Sequence, residues 1–239
     1  MPELDAARRE RVIDGCYRSI GRMLASVARF PSINAHNAGQ WIRYDGLEHF
    51  HAARERGKGV LFATAHLGNW ELSAFAHAWM TEPMSVVVRA LDNPKLDALA
   101  AKYRSMSGNR ILDKREYLRG ILRALKNNQA VGILVDQNTS LDEGVFVKFF
   151  GIEACVGTGF AKLAAHSGAA IIPGFALWSE SGQHYVLKFY PYFTASGDVQ
   201  ADSQRVQAAV EAAIREYPDQ WLWMHRRWKT RPPGQPPLY

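Results

Sequence analysis

Gly59-Val60-Leu61-Phe62-Ala63-Thr64-Ala65-His66-Leu67-Gly68-Asn69-Trp70-Glu71-Leu72 is the stretch that decides the fold. Its first half is a short apolar run, and its second half opens the helix-like sequence Trp70 to His77, with Gly68 and Asn69 between them. That order reads as a strand, a tight turn and a helix N-terminus, the place where α/β proteins put their chemistry.

The turn decides whether two reactive side chains can meet. Were residues 66 to 71 one continuous helix, five steps of about 100° would send His66 and Glu71 to different faces. Gly68 and Asn69 break that path. With Asn69 as N-cap, Glu71 falls in the first turn, where the helix dipole favours a carboxylate, and the imidazole at the strand end can lie beside it. A carboxylate that holds an imidazole fixes its tautomer and raises its basicity, so the expected pair is His66 as general base and Glu71 as its acid. The same spacing is compatible with a helix-end carboxylate beside an ordinary loop histidine.

Outward from this stretch, strands are expected at 59–65, 84–89, 130–135, 169–177 and 184–191. Helices are expected at 70–80, 94–106, 115–127, 157–167 and 200–216. Continuous apolar strands such as Val131-Gly132-Ile133-Leu134-Val135 mark a sheet covered on both faces. The expected fold class is α/β, a three-layer α/β/α sandwich with a mainly parallel central sheet. It would form a single domain over 1–239, with a helical segment at 1–58, an α/β core at 59–217 and a Trp/Arg-rich segment and tail at 218–239. In the first of these, Arg11 to Phe30 reads as an amphipathic basic helix, suited to an anionic membrane or to core packing with a basic rim. Leu47 to Glu55 reads as another helix.

Three strands end in polar residues that share one rim of a parallel sheet: His66, Arg89 and Asp136. A base, a cation and an acid can converge there. Arg89 also fits a surface ion pair with Asp92, and Asp136 a turn or helix cap.

The chain has 239 residues, 47% of them hydrophobic, enough for a sizeable core. With 29 Lys and Arg against 23 Asp and Glu the net charge is +6, which favours an anionic partner without choosing among nucleic acid, membrane, acidic carrier protein or phosphorylated substrate. Cys16 and Cys155 lack any zinc-like or disulfide spacing and point to a reducing compartment. The longest apolar stretch, Ala169 to Trp178, is about half of what a spanning helix needs. The charged start lacks the apolar core of a secretory signal.

There is no GxSxG elbow, HExxH or GxxxxGK, and Gly157-Thr158-Gly159 is read as following no strand. His49 and His51 are read as helix-surface residues. A His and acid pair without a protein nucleophile suits removal of a proton from a substrate hydroxyl, which then attacks an activated carbonyl directly. The oxyanion would be met by the amides around Gly68 and Asn69, by the Asn69 side chain or by Arg89.

The segment His66 to Glu71 resembles the HX4(D/E) signature of the lysophospholipid acyltransferase superfamily. Its form HLGNWE is similar to the late, lauroyl/myristoyl-type acyltransferases of lipid A biosynthesis. The likeness extends in order through Arg89-Ala90-Leu91-Asp92-Asn93-Pro94, Gly108-Asn109-Arg110, Leu118 to Leu125, Asp136-Gln137-Asn138, Gly144 to Gly151 and Gln220-Trp221-Leu222-Trp223.

This resemblance implies an O-acyltransferase that moves a fatty acyl chain from acyl carrier protein, or from a coenzyme A thioester, to a hydroxyl of a lipid-linked sugar. His66 would be the base and Glu71 its orienting acid. Arg89 and Asn93 would match a RxxxN motif that binds phosphate or developing charge, and Asp136 with Gln137 a DQ segment near the histidine. Arg226 and Arg227, beside Trp221, Trp223 and Trp228, would meet lipid or carrier, with core packing the alternative for the tryptophans. An apolar groove lined from 70–80 and 145–160 would hold the chain. No metal, cofactor or nucleic acid is implied. The work would be done at an anionic membrane surface, on the cytoplasmic face of the bacterial inner membrane. The membrane anchor with which such proteins usually begin is absent from this chain. Other acceptors, a phosphatidylinositol mannoside or an acyl-glycerol phosphate, remain open, as does a silent anionic-membrane-binding module.

Overall fold

The computed structural model describes residues 4–112 and 117–239. In chain order the elements are α1 (Ala6–Arg29), α2 (Ala38–Trp41), β1 (Ile42–Asp45), α3 (Leu47–Glu55), β2 (Val60–Thr64), α4 (Trp70–Met80), β3 (Ser85–Val87), α5 (Pro94–Ser105) and β4 (Arg110–Leu112). Then follow α6 (Tyr117–Lys126), β5 (Ala130–Leu134), β6 (Gly144–Phe149), β7 (Ile152–Gly157), α7 (Gly159–Ser167), β8 (Ala170–Ser179), β9 (His184–Phe189) and α8 (Val199–Glu216). The start of α6, expected at 115, lies outside the described residues.

Seven strands form one sheet in the order β1-β9-β8-β2-β5-β3-β4. Every neighbouring pair is parallel except β8 with β9, so the sheet is mainly parallel, as the continuous apolar strands require. Val60, Leu61, Phe62 and Ala63 of β2 are all buried, each large side chain contributing about 1.5–3 kcal/mol relative to exposure. Strand alternation splits them between two layers. Phe62 packs with Leu72, Phe75 and Ala76 of α4, while Leu61 and Ala63 pack with Ile121 and Leu125 of α6, Leu163 of α7 and Val206 of α8. Helices therefore cover both faces, giving the α/β/α sandwich.

Four strands escaped the sequence reading. β1 and β4 are short edge strands, and β6 pairs with β7 as a separate antiparallel hairpin. The hairpin leans on α8 through Gln204, whose amide accepts from the Lys148 N–H at 2.8 Å and donates to the Lys148 carbonyl at 3.0 Å. Gly157-Thr158-Gly159 thus does follow a strand, β7, and opens α7. No described helix is long and apolar enough to cross a membrane.

Candidate active site

The turn after β2 is held by backbone bonds on both sides. Gly68 has φ +66°, and a Cβ there would collide with the Ala176 carbonyl oxygen. The Gly68 N–H donates to Gln220 O at 2.9 Å and the Asn69 N–H to Ala176 O at 2.8 Å. Asn69 caps α4 as expected, its Oδ1 accepting from the Leu72 N–H at 3.0 Å. The two amides offered as oxyanion donors are therefore committed to neighbouring carbonyls. The Asn69 side chain is fully buried.

His66 is paired with Asp136 instead of Glu71. The Nδ1 to Oδ1 distance is 2.9 Å, and Asp136 Oδ2 accepts from the His66 backbone N–H and from the Trp221 indole N–H, each at 2.9 Å. Sheet register makes this possible: Thr64 is opposite Leu134, and the Val135 N–H reaches Thr64 O, so the ends of β2 and β5 emerge side by side. Burial of Asp136 disfavours its charge. The hydrogen bond and charge of His66, together with the bonds from Trp221 and the amide, outweigh this and hold the carboxyl below its usual range. An ionised Asp136 makes Nδ1 the protonated nitrogen and leaves the Nε2 lone pair as the base. Gln137 Nε2 lies 3.4 Å from His66 Nε2, and Trp70 stands edge-on to the imidazole at 5.0 Å.

Glu71 is occupied elsewhere. Its two oxygens accept from Arg104 Nε at 2.8 Å and Nη2 at 2.5 Å, both side chains being about four-fifths buried. The planar guanidinium fork matches a carboxylate in a way that a neutral imidazole does not. The bond to Glu71 raises the Arg104 pKa against the opposing effect of burial. Arg104 was absent from the sequence reading, since nothing local links residues 71 and 104.

Of the remaining residues read from sequence, only Gln137 is brought against His66. Arg89 is exposed and meets Asp92 at 3.4 Å, the surface pair weighed as its alternative. Asn93 caps α5, accepting from the N–H groups of Lys95 and Leu96. Arg226 is exposed. Arg227 is fully buried, donating to Cys155 O at 2.9 Å and Gln207 Oε1 at 3.1 Å and lying over the Phe149 ring. Burial lowers its pKa to about 10 despite the attraction of Asp136.

The C-terminal segment contributes more than expected. Leu67 and Trp221 form an isolated antiparallel bridge, flanked by the Gly68 N–H on Gln220 O and the Leu222 N–H on His66 O, each at 2.9 Å. His225 Nε2 accepts from the Asn138 N–H at 2.9 Å, which requires a neutral ring; burial first, and then Arg227 and His66, lower its pKa against the pull of Asp136. Among the described residues no cluster of three metal-ligating side chains occurs.

Two apolar spaces flank this rim. A cavity of about 70 Å³ lies under α4, lined by Trp70, Glu71 and Arg104 and walled by Phe62, Phe75 and Phe189. Strand glycines Gly132 and Gly174 leave the room: a Cβ on either would meet the side chains of Met84 or Phe189. A cleft of about 840 Å³ opens on the other face of the sheet, between α6, α7 and α8. The single groove expected from 70–80 and 145–160 is thus two: residues 70–77 line the cavity and 156–160 the cleft.

The arrangement joins a tautomer-fixed histidine, an apolar cavity and a buried carboxylate–guanidinium pair. Residues 1–230 match the model of the bacterial lipid A biosynthesis acyltransferases. The chain is 30% identical to the lipid A biosynthesis lauroyltransferase of Escherichia coli (strain K12), covering 100% of this chain and 78% of that one. It is 29% identical to the palmitoleoyltransferase of the same organism, again over 100% and 78%. Against the phosphatidylinositol mannoside acyltransferase of Mycolicibacterium smegmatis it is 28% identical, over 88% of this chain and 70% of that one. With its histidine turn embedded in a full-length match, the chain belongs to the bacterial lipid A biosynthesis acyltransferase family.

Proposed function

We propose that this acyltransferase moves a fatty acyl chain from a thioester, carried by acyl carrier protein or coenzyme A, to a hydroxyl of a lipid A precursor, without a covalent acyl-enzyme. The observation that carries the reading is the His66–Asp136 pair, which leaves Nε2 as a proton acceptor beside Trp70, a residue that lines the apolar cavity. Nε2 takes the proton of the acceptor hydroxyl as its oxygen attacks the thioester carbon. Asp136 stabilises the imidazolium so formed. The oxyanion collapses, the C–S bond breaks, and the thiolate takes the proton back from Nε2, leaving an ester and a free thiol. Arg104, held by Glu71 in the cavity wall, supplies positive charge where the thioester carbonyl develops its negative charge.

A phosphatidylinositol mannoside is the second reading for the acceptor, favoured by the mycobacterial relative. Either acceptor is a lipid, and contact with an anionic membrane surface is supported by exposed Ile13, Tyr17 and Leu24 along the basic helix α1. In our reading the work is done at the cytoplasmic face of the inner membrane.

The test is transfer from labelled acyl-carrier thioester to each glycolipid by the purified protein and by His66→Ala. New ester product from the wild type and none from the variant is expected. Equal product from both would overturn the reading.

A further inference from the structure

The cavity under α4 and the cleft between α6, α7 and α8 occupy opposite faces of one sheet and meet at one rim. Alternation explains the division. Phe62, Thr64, Gly132 and Val86 line the cavity, whereas Ile133 and Val135 line the cleft, and Val87 of β3 and Leu134 at the end of β5 border both. The reaction proposed above joins two lipids, and the protein offers two apolar spaces of unequal size. The cavity, at about 70 Å³, is the narrower and suits at most one chain; the cleft, at about 840 Å³, is the roomier.

Two features tie the cleft to a lipid acceptor. Its floor is apolar, built from Leu122, Ile133, Phe160 and Val206. Its polar lining includes Gln137 and Asn138, with Asp142, Glu143, Lys162 and His166, and Gln137 Nε2 is the group 3.4 Å from His66 Nε2, so an acceptor hydroxyl seated beside Gln137 lies at the base.

We propose that this cleft is the subsite for the hydrocarbon chains already carried by the glycolipid acceptor, so that donor and acceptor reach His66 from opposite faces of the sheet. The assignment rests on the acyl-transfer reading for the identity of its ligand. Its test does not depend on turnover. A phosphorylated disaccharide glycolipid with a diazirine in one ester-linked chain, and separately an acyl-carrier thioester with a diazirine in its acyl chain, are photolysed with the full-length protein and the labelled residues located by mass spectrometry.

The glycolipid label is expected on Leu118, Leu122 or Phe160, and the thioester label on Phe75, Val86 or Val88. Narrowing the cleft with Leu122→Trp, or charging its exposed edge with Leu118→Asp, is expected to cut glycolipid labelling at least fivefold and raise the acceptor KM about tenfold, with thioester labelling unchanged. Glycolipid label in the cavity, thioester label in the cleft, or glycolipid labelling indifferent to both leucine variants would overturn the assignment. Cleft labelling without any ester product would support the subsite and count against acyl transfer itself.

Discussion

His66 and Asp136 are joined twice, once through the imidazole Nδ1 and once through the His66 backbone N–H, each at 2.9 Å. One carboxylate thus sets both the tautomer of the ring and the position of the backbone that carries it. Asp136→Asn keeps the shape and removes the charge that stabilises the imidazolium. We expect kcat to fall about 10³-fold. Steady-state transfer rates, with circular dichroism to verify folding, are the check.

Glu71 offers a contrast. Because its oxygens are spent on Arg104, Glu71→Gln is expected to lower activity without displacing the pH profile of kcat, whereas Asp136→Asn displaces it. Arg104 would be left part-buried and undercompensated, with a stability loss of about 1–3 kcal/mol. A pH profile of Glu71→Gln that moves like that of Asp136→Asn would return Glu71 to the imidazole.

Gly68→Ala places a Cβ on left-handed backbone and against the Ala176 carbonyl. The cost is expected to be about 2 kcal/mol or more, read as a lowered denaturation midpoint. Activity should fall further than stability, since the displaced turn carries His66.

His77 lies buried among Phe50, Phe62 and Phe189 with Nδ1 2.6 Å from the Tyr44 hydroxyl. Burial, with a smaller push from His51, lowers its pKa from 6.5 to about 3. The unfolded chain therefore binds a proton that the folded protein refuses between those values. The stability involved is whole above pH 6.5 and declines as pH falls towards 3. At about pH 4.5 the loss is about 3 kcal/mol, two pH units at about 1.4 kcal/mol each. Urea midpoints at pH 7 and 4.5 should show this slope in the wild type and a shallower one in His77→Leu.

The sandwich was legible in the sequence because its central strands are continuous apolar runs and its main helices begin at caps such as Asn69. β1 escaped because Ile42–Asp45 is four residues long and carries Arg43 and Asp45. The convergence of His66 with Asp136 was visible as two strand ends of a parallel sheet. The partner of the imidazole was assigned from local spacing, which sees Glu71 and cannot see Arg104, 33 residues on, competing for it. Arg227 was offered to lipid or carrier with Arg226 because cations beside tryptophans suit a membrane interface. Its burial depends on acceptors from Cys155 and Gln207, on other elements. Arg89 faces solvent because its loop turns back on Asp92.

The short pairing of residues 66–68 with 220–222 has a consequence for biosynthesis. A ribosome that has made everything through α8 has made every strand of the sheet, yet the indole that steadies Asp136 and the backbone that braces His66 are still to come. A product cut short after Tyr217 is expected to be an assembled shell without an organised base. Competence is thus conferred by residues translated after the whole sheet, which ties catalysis to synthesis beyond α8.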